Sequence, residues 1–217
     1  MPATGWLVAE AAGTAWTRHR VVENARDCVD GLTYAVAMLS GERVLLRAVE
    51  RDDLRQLWEM DNDLEVEHRA SDQPPKPVSL AQMEARFDTR AAQPDSDIVW
   101  FVIVVEDMVI GSCGLHHLDQ YSQSCHLGIA IKRDRWGQGY GQDAVRTLLR
   151  YAFGPLNLRK VSLEVLADDA RAVGAYLKAG FTEEGRFQAH TWHDGDYRDV
   201  LRMAVFRPSE PRRLKTG

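Results

Sequence analysis

The sequence predicts an α/β chain of the α+β type: a single domain whose mixed, mostly antiparallel twisted sheet of about seven strands is flanked by about four helices. Three observations carry this. The stretches Ile98 to Leu115 and Phe187 to Phe206 each pair β-rich runs across a short turn, the pattern of an antiparallel hairpin. Between them, Ser124 to Leu166 reads strand, amphipathic helix, strand, which calls for a parallel crossover. The chain has 217 residues, 45% of them hydrophobic, enough to bury one sizeable core and short for two full domains.

The elements follow in order. Before Gly41 no clear period exists; a weak helical stretch near 23–30 and an apolar run from Leu32 to Leu39 stand out. Val44 to Ala48 reads as a short strand, and Asp52 is placed to cap a helix carrying Leu54, Leu57, Trp58 and Asp61 at three- and four-residue spacing. Asp72 to Pro77 holds three prolines and is a loop, since proline lacks the amide donor and restrains the residue before it. Ser79 caps the next helix, which runs to about Arg90 before Pro94-Asp-Ser-Asp97 breaks the chain. Ile98 to Val105 turns at Glu106-Asp107 and returns as Val109 to Leu115, and Ser124 to Ile131 is a further strand. Gln142 to Phe153 places Val145, Leu148, Leu149 and Ala152 on one helical face and ends at Gly154-Pro155. Lys160 to Leu166 is a strand, Ala170 to Ala179 a helix closed by Gly180, and Phe187 to Trp192 with Val200 to Phe206 a hairpin around Asp194-Gly195.

Composition excludes several function classes. A formal net charge of -5 removes the broad positive field by which nucleic-acid binders release counterions. No run approaches the roughly 18 to 20 apolar residues of a membrane span, and the N-terminus lacks the form of a signal peptide, so a cytoplasmic protein is expected. Cys28, Cys113 and Cys125 show neither C-x-x-C spacing nor an even framework, so they are read as reduced small hydrophobes, with no structural zinc.

The sharpest feature is Arg135-Trp136-Gly137-Gln138-Gly139-Tyr140-Gly141, between a strand and a helix. Glycines let the backbone curl and present successive N–H groups at a helix N-terminus, where unpaired amides and the dipole favour a phosphate. Two readings stand: an anion cradle, or a glycine-rich turn without a ligand. A P-loop is excluded, because no Lys-Ser or Lys-Thr follows the glycines. Gly139-Tyr-Gly141-Gln-Asp-Ala144 fits G-x-G-x-x-A, but a dinucleotide turn leaves its strand directly, whereas Lys132 to Gln138 intervene, which argues against a nucleotide-dependent oxidoreductase.

His126-Leu-Gly-Ile-Ala-Ile-Lys-Arg-Asp-Arg-Trp-Gly-Gln-Gly-Tyr-Gly141 resembles the pyrophosphate-binding motif Q/R-x-x-G-x-G/A of the GNAT superfamily of acyl-CoA-dependent N-acetyltransferases. Asp169-Ala-Arg-Ala-Val-Gly-Ala-Tyr176-Leu-Lys-Ala-Gly180-Phe181 is similar to the family's N-x-x-A-x-x-x-Y-x-K-x-G-F stretch. With Tyr151-Ala-Phe153, Glu184-Gly185 and Asp194-Gly195-Asp-Tyr197-Arg-Asp199, the resemblance is closest to the branch of ribosomal-protein and spermidine N-acetyltransferases. It covers about Gly41 to Phe206, leaving 1–40 as an N-terminal extension and 207–217 as a tail. Met38 sits where many family members begin, so the extension is either an added packing or dimerisation element, compatible with a homodimer, or an upstream start that is not used.

The resemblance implies roles residue by residue. The strand before the glycine loop splays from its parallel neighbour, so backbone groups of Ile129, Ala130 and Ile131 would hold the pantetheine arm and thioester of acetyl-CoA, with an amide near Ile129 polarising the thioester carbonyl. Gly137, Gln138, Gly139, Tyr140, Gly141 and Gln142 form the diphosphate cradle, Gln138 to Gly141 donating the amides, with Arg133 and Arg135 as countercharges. Trp136 stands where the family usually has Gln or Arg, and Asp169 where it usually has Asn; Asp169 and Ala172 belong to the cofactor-binding start of the following helix. Tyr176 matches the tyrosine that protonates the departing thiolate, a role open to a phenol with pKa near 10. His126 falls where related enzymes often place Glu; it is either the general base or a partly buried histidine that only hydrogen-bonds. No metal is implied. The acidic run Glu59, Asp61, Asp63, Glu65 and Glu67 either hints at a cationic amine acceptor or is solvated surface. The expected function is acetyl transfer from acetyl-CoA to a primary amine, small or peptidic, by direct attack in a ternary complex. The competing reading is a non-catalytic acyl-CoA-binding regulatory protein, motivated by the departures at Trp136, His126 and Asp169.

Overall fold

A computed structural model describes residues 38–70, 76–93, 97–193 and 195–208. Cys28, the stretch near 23–30, Asp194 and parts of the two proline-containing loops lie outside the described residues. The elements are β1 (Met38–Ser40), β2 (Leu45–Ala48), α1 (Leu54–Asp61), α2 (Leu64–Ala70), α3 (Leu80–Ala91), β3 (Val99–Val105), β4 (Met108–Asp119), β5 (Ser124–Ile131), α4 (Tyr140–Phe153), β6 (Lys160–Leu166), α5 (Ala170–Lys178), β7 (Thr182–His193) and β8 (Asp196–Phe206). The strands form one sheet in the order β1-β2-β3-β4-β5-β6-β8-β7. Every neighbouring pair is antiparallel except β5 and β6.

The class expected from the sequence is therefore observed, with eight strands and five α-helices among the described residues rather than seven and four. The added strand is β1, three residues at the end of the apolar run, paired to β2 through Leu39↔Leu46. The added helix is α2, which the sequence reading lacks; it follows α1, whose observed span Leu54–Asp61 holds the residues expected there. The cap expected at Asp52 is displaced. A single 3₁₀ turn, Arg51–Asp53, precedes α1, with Glu50 as its N-cap. The buried Asp53 carboxylate accepts from the Glu50 N–H (2.8 Å) and from both terminal nitrogens of Arg47 (2.6 and 2.8 Å). Ser79 does cap α3: its hydroxyl accepts from the Gln82 N–H (3.2 Å), and Gln82 Oε1 accepts from the Ser79 N–H (2.9 Å). At the β3–β4 turn both Glu106 and Asp107 have positive φ (50° and 63°), as a two-residue hairpin turn requires.

Helices cover both faces of the sheet. Alternation along β3 sends Phe101, Ile103 and Val105 to the core under α4, with Val145, Leu148 and Ala152, and sends Val102 and Val104 to the core under α1 to α3, with Leu54, Leu57 and Met83. This is why β3 reads as a continuous apolar run, VWFVIVV, instead of alternating with polar residues. Each fully buried leucine, such as Leu148, stabilises the fold by about 2 kcal/mol through loss of water contact. Cys113 and Cys125 are buried, and burial pushes both thiols up to about 12. Among the described residues no helix is long and apolar enough to cross a membrane.

Candidate active site

β5 and β6 run side by side for only three pairs, Ser124↔Lys160, Cys125↔Val161 and His126↔Ser162. Beyond them each strand stays with its antiparallel neighbour: β5 remains paired to β4 as far as Ile131↔Gly111, and β6 to β8 through Leu166↔Val200. A wedge opens between them. The Lys132 N–H donates back to Ile110 of β4 (2.8 Å), so by strand alternation the backbone groups of Ile129 and Ile131 face the wedge, where β6 no longer meets them. The Ile131 carbonyl is taken by the Trp136 indole N–H at 2.7 Å. Ile129 thus keeps an N–H and a carbonyl available to an extended ligand.

The wedge continues into a cleft of about 380 Å³ lined by Ile129, Ala130 and Ile131, by Arg135, Trp136, Gly137, Gly139, Gly141 and Gln142 of the following loop and helix, and by Asp169, Ala172 and Tyr176. Of the residues expected at a cofactor site, Gln138 and Tyr140, on the loop between lining glycines, and the countercharge Arg133 lie outside this lining. Gly137 and Gly139 have φ of 73° and 86°, a left-handed backbone that other residues adopt only with strain. Gly139 is the N-cap of α4 and offers no side-chain acceptor, so the first-turn amides are not capped from within. An open cap of this kind beside unpaired strand groups fits a ligand with a diphosphate at one end and an amide-bearing arm at the other.

Asp169 is 6% exposed and caps α5, Oδ1 accepting from the Ala172 N–H at 3.0 Å. Its other oxygen lies 3.3 Å from both Arg69 and Arg171, whose guanidinium groups stand 6.0 and 4.1 Å from the Trp136 ring centre. Two cations therefore offset a carboxylate that would otherwise repel an anionic ligand, and they tie α2, α5 and the glycine loop together. Arg135 lines the cleft, 3.6 Å from Asp134; Arg133 lies outside the lining, 3.7 Å from Glu65.

Tyr176 stands on the α5 wall, half-buried, with its ring 5.8 Å from Phe181. Loss of solvent pushes the phenol up to about 12, the Asp169 charge adds to this, and Arg171 opposes it. The group is thus a protonated donor at neutral pH. His126 does not line the cleft. Its Nε2 is 3.3 Å from the Arg202 guanidinium, and its ring lies 5.7 and 5.5 Å from those of His116 and His117. Burial first, and then Arg202, His116 and His117, hold its pKa below 6.5, with Glu164 acting against them. Glu164 lines the cleft and lies 3.6 Å from Arg202, so a carboxylate that sequence reading did not single out borders the site. Arg69 and Arg171 were likewise not singled out; their only sequence signal is a basic residue near each helix terminus.

Comparison with known proteins identifies the family. The acetyltransferase (GNAT) domain family matches residues 43–182. A spermidine N(1)-acetyltransferase of Vibrio cholerae is 27% identical over 165 residues, covering 76% of this chain and 94% of its own. An uncharacterized N-acetyltransferase of Bacillus licheniformis is 26% identical over 167 residues, 76% of this chain and 94% of its own. Among solved structures, Vibrio cholerae spermidine N-acetyltransferase in complex with CoA and spermine superposes with a TM-score of 0.70 at 28% identity, covering 76% of this chain and 95% of that one. The chain belongs to the GNAT acetyltransferase family, as an N-acetyltransferase of the acetyl-CoA-dependent kind.

Proposed function

We propose that this enzyme carries the acetyl group of acetyl-CoA to a primary amine of a polyamine-like cation, by direct attack with both substrates bound. The observation that carries the reading is the wedge between β5 and β6, where the open backbone groups of Ile129 run into the uncapped amides of the glycine loop. Bound acetyl-CoA supplies the thioester. The Ile129 N–H opposes the negative charge that grows on the carbonyl oxygen as the amine nitrogen forms its bond to carbon. As the carbon–sulfur bond breaks, the Tyr176 phenol gives its proton to sulfur. His126, set behind the cleft lining, takes by way of water the proton that the ammonium must lose before its nitrogen can attack, and the second proton, released as the amide forms, returns to the Tyr176 phenolate. Direct attack is also favoured over an acetyl-cysteine route by the two buried thiols, which burial keeps protonated.

A cationic acceptor is supported by the named substrate of the Vibrio cholerae relative and by the acidic α1–α2 corner. Glu59 and Glu65 pair with Arg55 and Arg69 at 3.8 and 3.4 Å. Asp61 is pushed up to about 6, by burial first and then by the like charge of Glu67, against a smaller effect of Arg86. A docked ammonium would relieve that repulsion.

Thiol release with a panel of spermidine, spermine, neutral small amines and a peptide α-amine tests the reading. Turnover is expected to be fastest with the polyamines, and Tyr176→Phe to lower kcat by about 100-fold with little change in KM. Coenzyme A binding without turnover of any amine would support the non-catalytic alternative, and preference for the peptide would overturn the polyamine assignment.

A further inference from the structure

We propose that Arg43 is a positioning residue for the donor diphosphate: by holding the Gln138 carbonyl on the outside of the glycine loop, it turns the Gly139 N–H into the cleft. The inference rests on reading that loop as the diphosphate cradle.

Arg43 lies 95 residues before Gln138, in the turn between β1 and β2. That turn is gripped by one carboxylate. Asp143, in the first turn of α4 and 7% exposed, accepts from the Glu42 N–H with Oδ1 (3.1 Å) and from the Arg43 and Val44 N–H groups with Oδ2 (2.7 and 3.0 Å). The approach is close enough that a Cβ on Gly41 would fall 2.5 Å from Asp143 Oδ2, so glycine is required there. The gripped turn sends the Arg43 guanidinium back to the start of α4. There it donates to the Gln138 carbonyl and stacks over the Tyr140 ring, 4.5 Å from its centre. It closes on the loop so tightly that a Cβ on Gly139 would sit 3.1 Å from Nη1.

The consequence comes from peptide planarity. In a trans peptide the C=O and the next N–H point in opposite directions. Gln138 and Arg43 lie off the cleft, whereas Gly139 lines it. With the Gln138 carbonyl held toward Arg43, the Gly139 N–H is aimed at the cleft and is spared the rotation a flexible glycine peptide would otherwise allow. Lysine cannot reproduce this, because the contact needs a donor and a flat face on the same group.

The test compares Arg43→Ala and Arg43→Lys with wild type, using acetyl-CoA and S-acetylpantetheine, a donor with the same thioester and no diphosphate. Arg43→Ala is expected to raise KM for acetyl-CoA about tenfold with kcat within about twofold and KM for the amine unchanged. Arg43→Lys is expected to recover less than half of the loss. With S-acetylpantetheine, wild type and both variants are expected to be alike. The side chain is exposed, so thermal stability should hold, and a melt on each variant verifies it. An equal penalty on both donors, or none on acetyl-CoA, would overturn the role of Arg43. If wild type itself did not favour acetyl-CoA over the truncated donor, the cradle reading would fail first, and the role of Arg43 with it.

Discussion

Where β6 diverges, the Ile131 carbonyl has no strand to accept from, and the Trp136 indole N–H takes that place at 2.7 Å. In the sequence Trp136 is only a departure from an expected Gln or Arg, because its partner becomes visible once the chain curls back by five residues. His126 lies outside the cleft lining, beside Arg202. Its pKa is held below 6.5 chiefly by burial, so the neutral imidazole, the form able to take a proton, prevails at neutral pH. With His126 as base, wild-type kcat/KM is expected to hold at neutral pH and to fall only below about 6.5, as the imidazole gains its proton. His126→Ala is expected to lower kcat/KM by about tenfold or more at pH 7.5 and to remove that acid limb. A loss under about threefold with the limb intact would assign proton acceptance elsewhere, with Glu164 of the cleft lining the next group to replace.

At the scale of elements, the α1–α2 corner shows why α2 has no counterpart in the sequence reading. The helical spacing ends at Asp61, and the Asn62 side chain ties the end of α1 to a distant loop: its amide donates to the Trp58 and Val78 carbonyls (2.9 and 3.0 Å) and its carbonyl accepts from the Val78 N–H (3.0 Å). Asp63 then accepts from the Glu65 N–H (3.0 Å) and starts α2. The partner, Val78, lies 16 residues away, outside any local window. This corner also holds Asp61, raised to about 6 from an ordinary value of 3.8. A carboxyl whose folded pKa lies above its unfolded one favours the fold when protonated, so its contribution is present at low pH and is lost as pH rises through about 6. Asp61→Asn is therefore expected to stabilise the protein by about 1 to 2 kcal/mol at pH 7.5, with the gain fading below pH 6. Urea unfolding at about pH 7.5 and pH 5 reads this directly, and a gain that persisted undiminished at the lower pH would show that charge is not its cause.

For the whole molecule, a net charge of -5 should draw in a polycationic acceptor and give no such help to an anionic donor. Raising salt from about 50 to 300 mM is expected to lower kcat/KM for a polyamine several-fold while leaving that for acetyl-CoA within about twofold. A flat profile for the polyamine would count against electrostatic capture. By itself the sequence determined the class of fold, the order of most strands and helices, and the glycine loop ahead of α4, because hydrophobic period, turn chemistry and helix caps are written within a few residues of where they act. The tertiary structure alone decided the width of the β5–β6 wedge, the ion pairs that offset Asp169, and the reach of Arg43 to Gln138 across 95 residues. These depend on which distant backbone and side-chain groups packing brings within hydrogen-bond range, and no local pattern of residues encodes that meeting.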